Sequence, residues 1–143
     1  MRGALAGMAA AAAWAAAEPL AAKTFRPPAG YSDVRMLGGL LTQGSRWRAA
    51  GLASHLVNGV LFGAVFARAG GRGWREGLAV AQAENLALWP AMAVVDRFHP
   101  DRRSGAWPPL LTNARVFGYE VAVHALFGVV LGVLAGTPQR SAE

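Results

Sequence analysis

The fold class this sequence predicts is all-α: a polytopic membrane protein folded as a four-transmembrane-helix bundle, one integral membrane domain over residues 1–143. Three observations predict it. The chain is 54% hydrophobic and only 15% charged, with a mean hydropathy of +0.28, and its charges are bunched between long apolar segments instead of spread as on a soluble domain. Four runs, Gly3–Ala22, Gly51–Ala67, Gly77–Val95 and Val116–Gly136, have the roughly 17 to 25 residues that cross ~30 Å of hydrocarbon as a helix. Finally, His55-Leu-Val-Asn-Gly59-Val-Leu-Phe-Gly63 returns sixty-nine residues later as His124-Ala-Leu-Phe-Gly128-Val-Val-Leu-Gly132.

Taken in order, the first run is the weakest, because alanine inserts marginally and only Leu5, Met8, Trp14 and Leu20 are large and apolar. It imitates an export signal, with Arg2 at one end and Ala15-Ala16-Ala17 before Glu18-Pro19 at the other. Cleavage there would leave three spans and break the pairing of helices, so retention is the expectation. The connection that follows carries Ser32-Asp33-Val34-Arg35-Met36-Leu37, a capping residue ahead of helically spaced apolar side chains. It predicts a short helix over about residues 32–43 lying in the interface, with Arg35 reaching for lipid head groups. The second run opens with His55 and the third carries Glu84 and Asn85. A polar stretch, Asp96–Arg103, then leads to Trp107-Pro108-Pro109, where Trp107 is expected to anchor at the interface. Glu120 and His124 lie in the fourth run.

Pro19 precedes His55 by thirty-six residues and Pro90 precedes His124 by thirty-four. Two helix-loop-helix units of nearly equal length therefore follow one another, a parallel repeat if the resemblance is real and chance among Ala, Gly and Val if it is not. The net charge of +6 is expected to face lipid phosphates, with no nucleic-acid partner. Nine basic residues (Lys23, Arg26, Arg35, Arg46, Arg48, Arg97, Arg102, Arg103, Arg115) fall on one side and five (Arg2, Arg68, Arg72, Arg75, Arg140) on the other. In a cell inner membrane this bias puts both termini outside the cytoplasm. The absence of cysteine excludes disulfides, thiolate metal sites and covalently attached haem of the usual kind. No catalytic motif is recognised.

Candidate site residues follow from depth. Glu18, His55 and Glu120 each sit about four residues inside a span on the same side of the membrane, ~6 Å deep. His124 is one turn deeper on the stripe of Glu120, and Glu84 and Asn85 fall ~15 Å in, near the midplane. Ionisable groups at such depth point inward and pair, carboxylate to imidazole. Four outcomes fit. The groups can bind a divalent metal, although Glu120 and His124 are four apart where di-metal bundles space Glu and His by three. They can relay protons, or His55 and His124 can flank a haem b with the glycines making room. In the fourth, they pair structurally and the chain is a non-catalytic assembly subunit. Gly59, Gly63, Gly128 and Gly132 are helix-packing positions, inside the chain or toward a homo-oligomer or larger membrane complex.

Ala17-Glu18-Pro19 with Arg26-Pro27-Pro28, the histidine opening the second span, Ala81-Gln82 ahead of Trp89-Pro90, and Glu120-x-x-x-His124 together resemble the YagU-like family of small bacterial inner-membrane proteins. The likeness touches all four spans. It implies a polytopic inner-membrane protein without an established biochemical activity. The family carries longer loops after the first and third spans and a histidine near the position of Asn85, which weakens a metal inference drawn from the likeness.

Overall fold

The computed structural model describes residues 1–42 and 44–136. Their helices are α1 (Arg2–Phe25), α2 (Asp33–Leu41), α3 (Trp47–Arg68), α4 (Gly73–Leu88), α5 (Met92–Phe98), α6 (Pro100–Arg103) and α7 (Ala114–Ala135), and they include no strand. Four helical stretches are long and apolar enough to cross a membrane: Arg2–Phe25, Gly44–Arg68, Gly73–Phe98 and Ala114–Ala135. The first three contain the expected runs Gly3–Ala22, Gly51–Ala67 and Gly77–Val95, and the fourth covers all of Val116–Gly136 but its last residue. Leu20, Val57, Leu61, Val65, Leu86 and Val133 are exposed on the outer faces, where a bilayer would solvate them.

Local chemistry sets the helix ends. Asn113 caps α7 by accepting from the backbone N–H groups of Arg115 and Val116. Ser32 caps α2, accepting from Arg35 N–H as its position in the sequence suggested. Within the third span a single turn, Trp89–Ala91, separates α4 from α5; Pro90 lies in it, and its missing N–H accounts for the break. Pro19, by contrast, is carried inside α1.

The long helices alternate in direction and pack in the order α3, α1, α7, α4. Two of the seams are backbone against backbone. A Cβ on Gly7 would stand 1.9 Å from Gly59 O, and one on Gly63 2.1 Å from Gly3 O. In the second hairpin a Cβ on Gly77 would stand 2.1 Å from Gly128 O, and one on Gly132 2.2 Å from Gly73 O. Only glycine permits such approach, and the pattern of contacts in the α1–α3 seam recurs in the α4–α7 seam. Gly59, Gly63, Gly128 and Gly132 thus pack as expected but within the chain. Of the two arrangements expected of these positions, inside the chain or toward another copy, the described residues show the first.

The central seam, α1 on α7, is filled by side chains, with Trp14 edge-on to Phe127 at 6.0 Å. No packing of comparable extent joins α3 to α4. That face of the bundle holds a cavity of about 380 Å³.

The connections cap one end. The short helix α2 packs on α3, where a Cβ on Gly38 would meet Trp47 O at 2.0 Å and one on Gly51 would meet Val34 O at 1.9 Å. It ends at Leu41, and Gln43 lies outside the described residues. Arg35 does not reach for head groups, because it makes a bidentate pair with Asp101, Nε to Oδ2 at 2.8 Å and Nη2 to Oδ1 at 2.9 Å. Nor is Trp107 a lipid anchor: it is 1% exposed, stacks on His99 at 4.5 Å and donates to Ala29 O at 3.2 Å. Asp96 accepts from Arg102 Nε and from Leu110 and Leu111 N–H, tying the second connection to itself.

His99 gives this cap a pH dependence. Its Nδ1 accepts from Asp101 N–H and its Nε2 faces Arg35 O, so the neutral Nε2–H tautomer is the one held. Burial lowers its pKa from the ordinary 6.5. The cap therefore has its full stability above pH 6.5 and loses it as the pH falls below that value, because the unfolded chain takes the proton that the fold resists. Arg35 holds the Asp101 carboxyl below its ordinary 3.8, so that pair survives to lower pH. Thermal unfolding in detergent from about pH 7.5 to 5 is expected to show a decline that His99→Gln flattens. The difference between the two proteins isolates His99 from the other imidazoles; parallel curves would refute the assignment.

Candidate functional site

Trp14 is the centre around which the polar groups are arranged. Its small, alanine-rich surroundings on α1 leave room for the indole to reach across the bundle, where it is 7% exposed. The ring lies edge-on to His55 at 4.9 Å and to His124 at 4.4 Å, and Nε1 donates to Asp33 Oδ2 at 2.9 Å. A haem held between the two imidazoles would have to displace this indole.

Asp33 enters from the first turn of α2. Its backbone N–H donates to Glu18 Oε1 at 2.8 Å, so the Glu18 carboxylate sits at the positive end of that helix. Burial pushes the Asp33 carboxyl well above the usual carboxylate range, and the neighbouring Glu120 and Glu18 push it further. Tyr31 precedes it and donates to Glu120 Oε1 at 2.5 Å. Burial and Glu120 together raise the Tyr31 phenol well above 10.0. Tyr119, wholly buried, packs edge-on to Tyr31 at 5.6 Å.

On α7, His124 Nδ1 donates to Glu120 O, four residues back, at 2.8 Å. That bond fixes a proton on Nδ1 and turns Nε2 toward Glu84 Oε2, 3.5 Å away. Glu120 Oε2 lies 3.7 Å from His124 Nδ1. Contacts therefore run from Glu84 through His124 and Glu120 to Tyr31.

Glu18, Glu120, His124 and Glu84 thus face inward from three helices, as expected of ionisable groups in lipid. His55 is a different case. Its Nε2 donates to Ala11 O at 3.1 Å, bonding α3 to the backbone of α1, and the expected pairing of Glu18 with an imidazole is replaced by Glu18 with the end of α2. Asn85 is 4% exposed, and its Nδ2 has no hydrogen-bond partner among the described residues. Among those residues no three His, Asp or Glu side chains form a group that could hold a metal ion.

Sequence reasoning missed Trp14, Tyr31 and Asp33 as members of the site. Tyr31-Ser32-Asp33 reads as a helix start, which it is. The available signal was a carboxylate and a phenol flanking a cap beside an otherwise apolar segment.

No family model, curated protein or solved structure matches the chain, so the resemblance to the YagU-like family rests on its short motifs alone.

Proposed function

We propose that this integral membrane protein moves protons between the cavity on the α3–α4 face and the capped end of the bundle, through Glu84, His124, Glu120 and Tyr31. The observation that carries the reading is the run of contacts among these groups, 3.5 Å, 3.7 Å and 2.5 Å in turn. Glu84 is part of the cavity wall, while Glu120 and Tyr31 are 2% and 4% exposed. A proton arriving at Glu84 meets an imidazole whose other nitrogen is already committed. Rotation of that ring, or of the Glu120 carboxyl, passes the charge inward. A divalent metal is the less favoured use of the same groups, since their separations suit shared protons and not a common ion.

Reconstitution into liposomes under an imposed pH gradient tests it. Wild-type vesicles should dissipate the gradient faster than protein-free ones. Glu120→Gln and His124→Gln should return the rate to that of protein-free vesicles while keeping the wild-type elution profile and helicity. Wild-type flux indistinguishable from protein-free vesicles would overturn the proposal.

A further inference from the structure

We infer that the α3–α4 cavity binds a hydroxyl-bearing amphiphile, a molecule with an apolar body and a neutral alcohol head that reaches Asn85. The site shares Glu84, His124 and Glu120 with the proposed proton path, but the inference stands on Asn85, which that path does not use.

The two glycine seams make the halves of the bundle alike, yet their long helices pack extensively on one side only, where α1 lies on α7. The opposite side, α3 toward α4, is where a matching contact would fall, and it holds the cavity instead. At about 380 Å³ it lies within the roughly 300–1,000 Å³ of small-molecule sites. Met36, Leu37, Phe62, Leu88 and Phe127 give it an apolar wall, and α2 closes one end with Asp33, Met36, Leu37 and Leu40. A lipid tail alone would need no more than that.

The polar part of the lining narrows the chemistry. Asn85 contributes a buried amide N–H group that finds no acceptor among the described residues, and a buried donor left unpaired is costly. Its neighbour Glu84, also in the wall, offers oxygens that accept. One hydroxyl satisfies both, accepting from Asn85 Nδ2 and donating to Glu84. A carboxylate head would have to share the site with the carboxyls of Glu84, Asp33 and Glu120, which disfavours its charged form. An alkane would leave the amide as it is.

The test is photolabelling of the purified full-length protein in detergent with a diazirine-bearing long-chain alcohol, against the matching diazirine alkane and diazirine carboxylic acid. Label from the alcohol is expected on Phe62 and Leu88, roughly two- to tenfold above label from the alkane or the acid, the ratio that one net hydrogen bond gives. Asn85→Leu, close in volume, should abolish that preference while leaving elution and helicity unchanged. Tyr31→Phe, which removes the last group of the proton path and does not line the cavity, should leave the alcohol label in place, so the two proposals fail separately. Equal labelling by alcohol and alkane would mean that water alone satisfies Asn85 and would overturn the inference. So would preferential labelling by the acid, label scattered over every outer helix face, or an alcohol preference that survives Asn85→Leu.

Discussion

Gly77→Val is expected to separate α4 from α7 and to cost the detergent-solubilised protein about 3 kcal/mol or more, the upper range for overpacking. A Cβ at this position would lie 2.1 Å from Gly128 O, and the obstacle is backbone, which has no rotamer to change. The helices must part along the seam, so the contacts around Gly73 and Gly132 are lost with it. Ala87→Val adds the same kind of bulk to an exposed position of the same helix and should shift stability by no more than about 0.5 kcal/mol. Titration with a denaturing detergent, followed by circular dichroism and gel mobility, measures both. Coincident transitions for Gly77→Val and wild type would show that the α4–α7 seam is not what holds the second hairpin.

The second large effect is expected at Trp14. Trp14→Ala should cost roughly 3–5 kcal/mol, the range for truncating a large buried aromatic, because the indole touches both imidazoles and Phe127 and is the donor to Asp33. Trp14→Phe separates the two contributions. It keeps most of the ring contact and removes the N–H, so it should cost about 1–3 kcal/mol, the penalty for leaving a buried acceptor unsatisfied. Pairing each variant with Asp33→Asn completes a double-mutant cycle. A Trp14→Phe cost that is unchanged in the Asp33→Asn background would show that the indole N–H and the Asp33 carboxyl are not coupled.

The membrane spans were legible because hydropathy acts over twenty residues at once and tolerates error at any one of them. Even Pro90 within the third run only inserts a turn there. The glycines Gly59, Gly63, Gly128 and Gly132 were legible as a face, since positions four apart line up on a helix. Their partners Gly3, Gly7, Gly73 and Gly77 were not, because periodicity marks a face without saying what it meets.

The roles of Asp33, Arg35 and Trp107 are not legible in the sequence, for one shared reason. Each belongs to a connection whose placement depends on tertiary contacts, Gly38 on α3 for α2 and Arg35 to Asp101 across 66 positions of chain. A basic or indole side chain beside a span is ordinarily a lipid contact, and nothing local distinguishes one that is held inside. The sequence places Glu84 by depth alone. Its place beside His124 follows from the α4–α7 seam, which brings Gln82 Nε2 to within 2.8 Å of Val121 O one turn away.

The glycine seams also divide the biogenesis of this protein into two unrelated requirements. Delivery into the bilayer responds to summed apolarity, and changing Gly77 or Gly128 to valine makes a segment more apolar. Association inside the bilayer, where hydrocarbon surrounds every helix anyway, responds to how closely two backbones can approach. Valine at a seam should therefore yield chains that are threaded correctly, protected from proteases added outside and abundant in membrane fractions, yet unpaired.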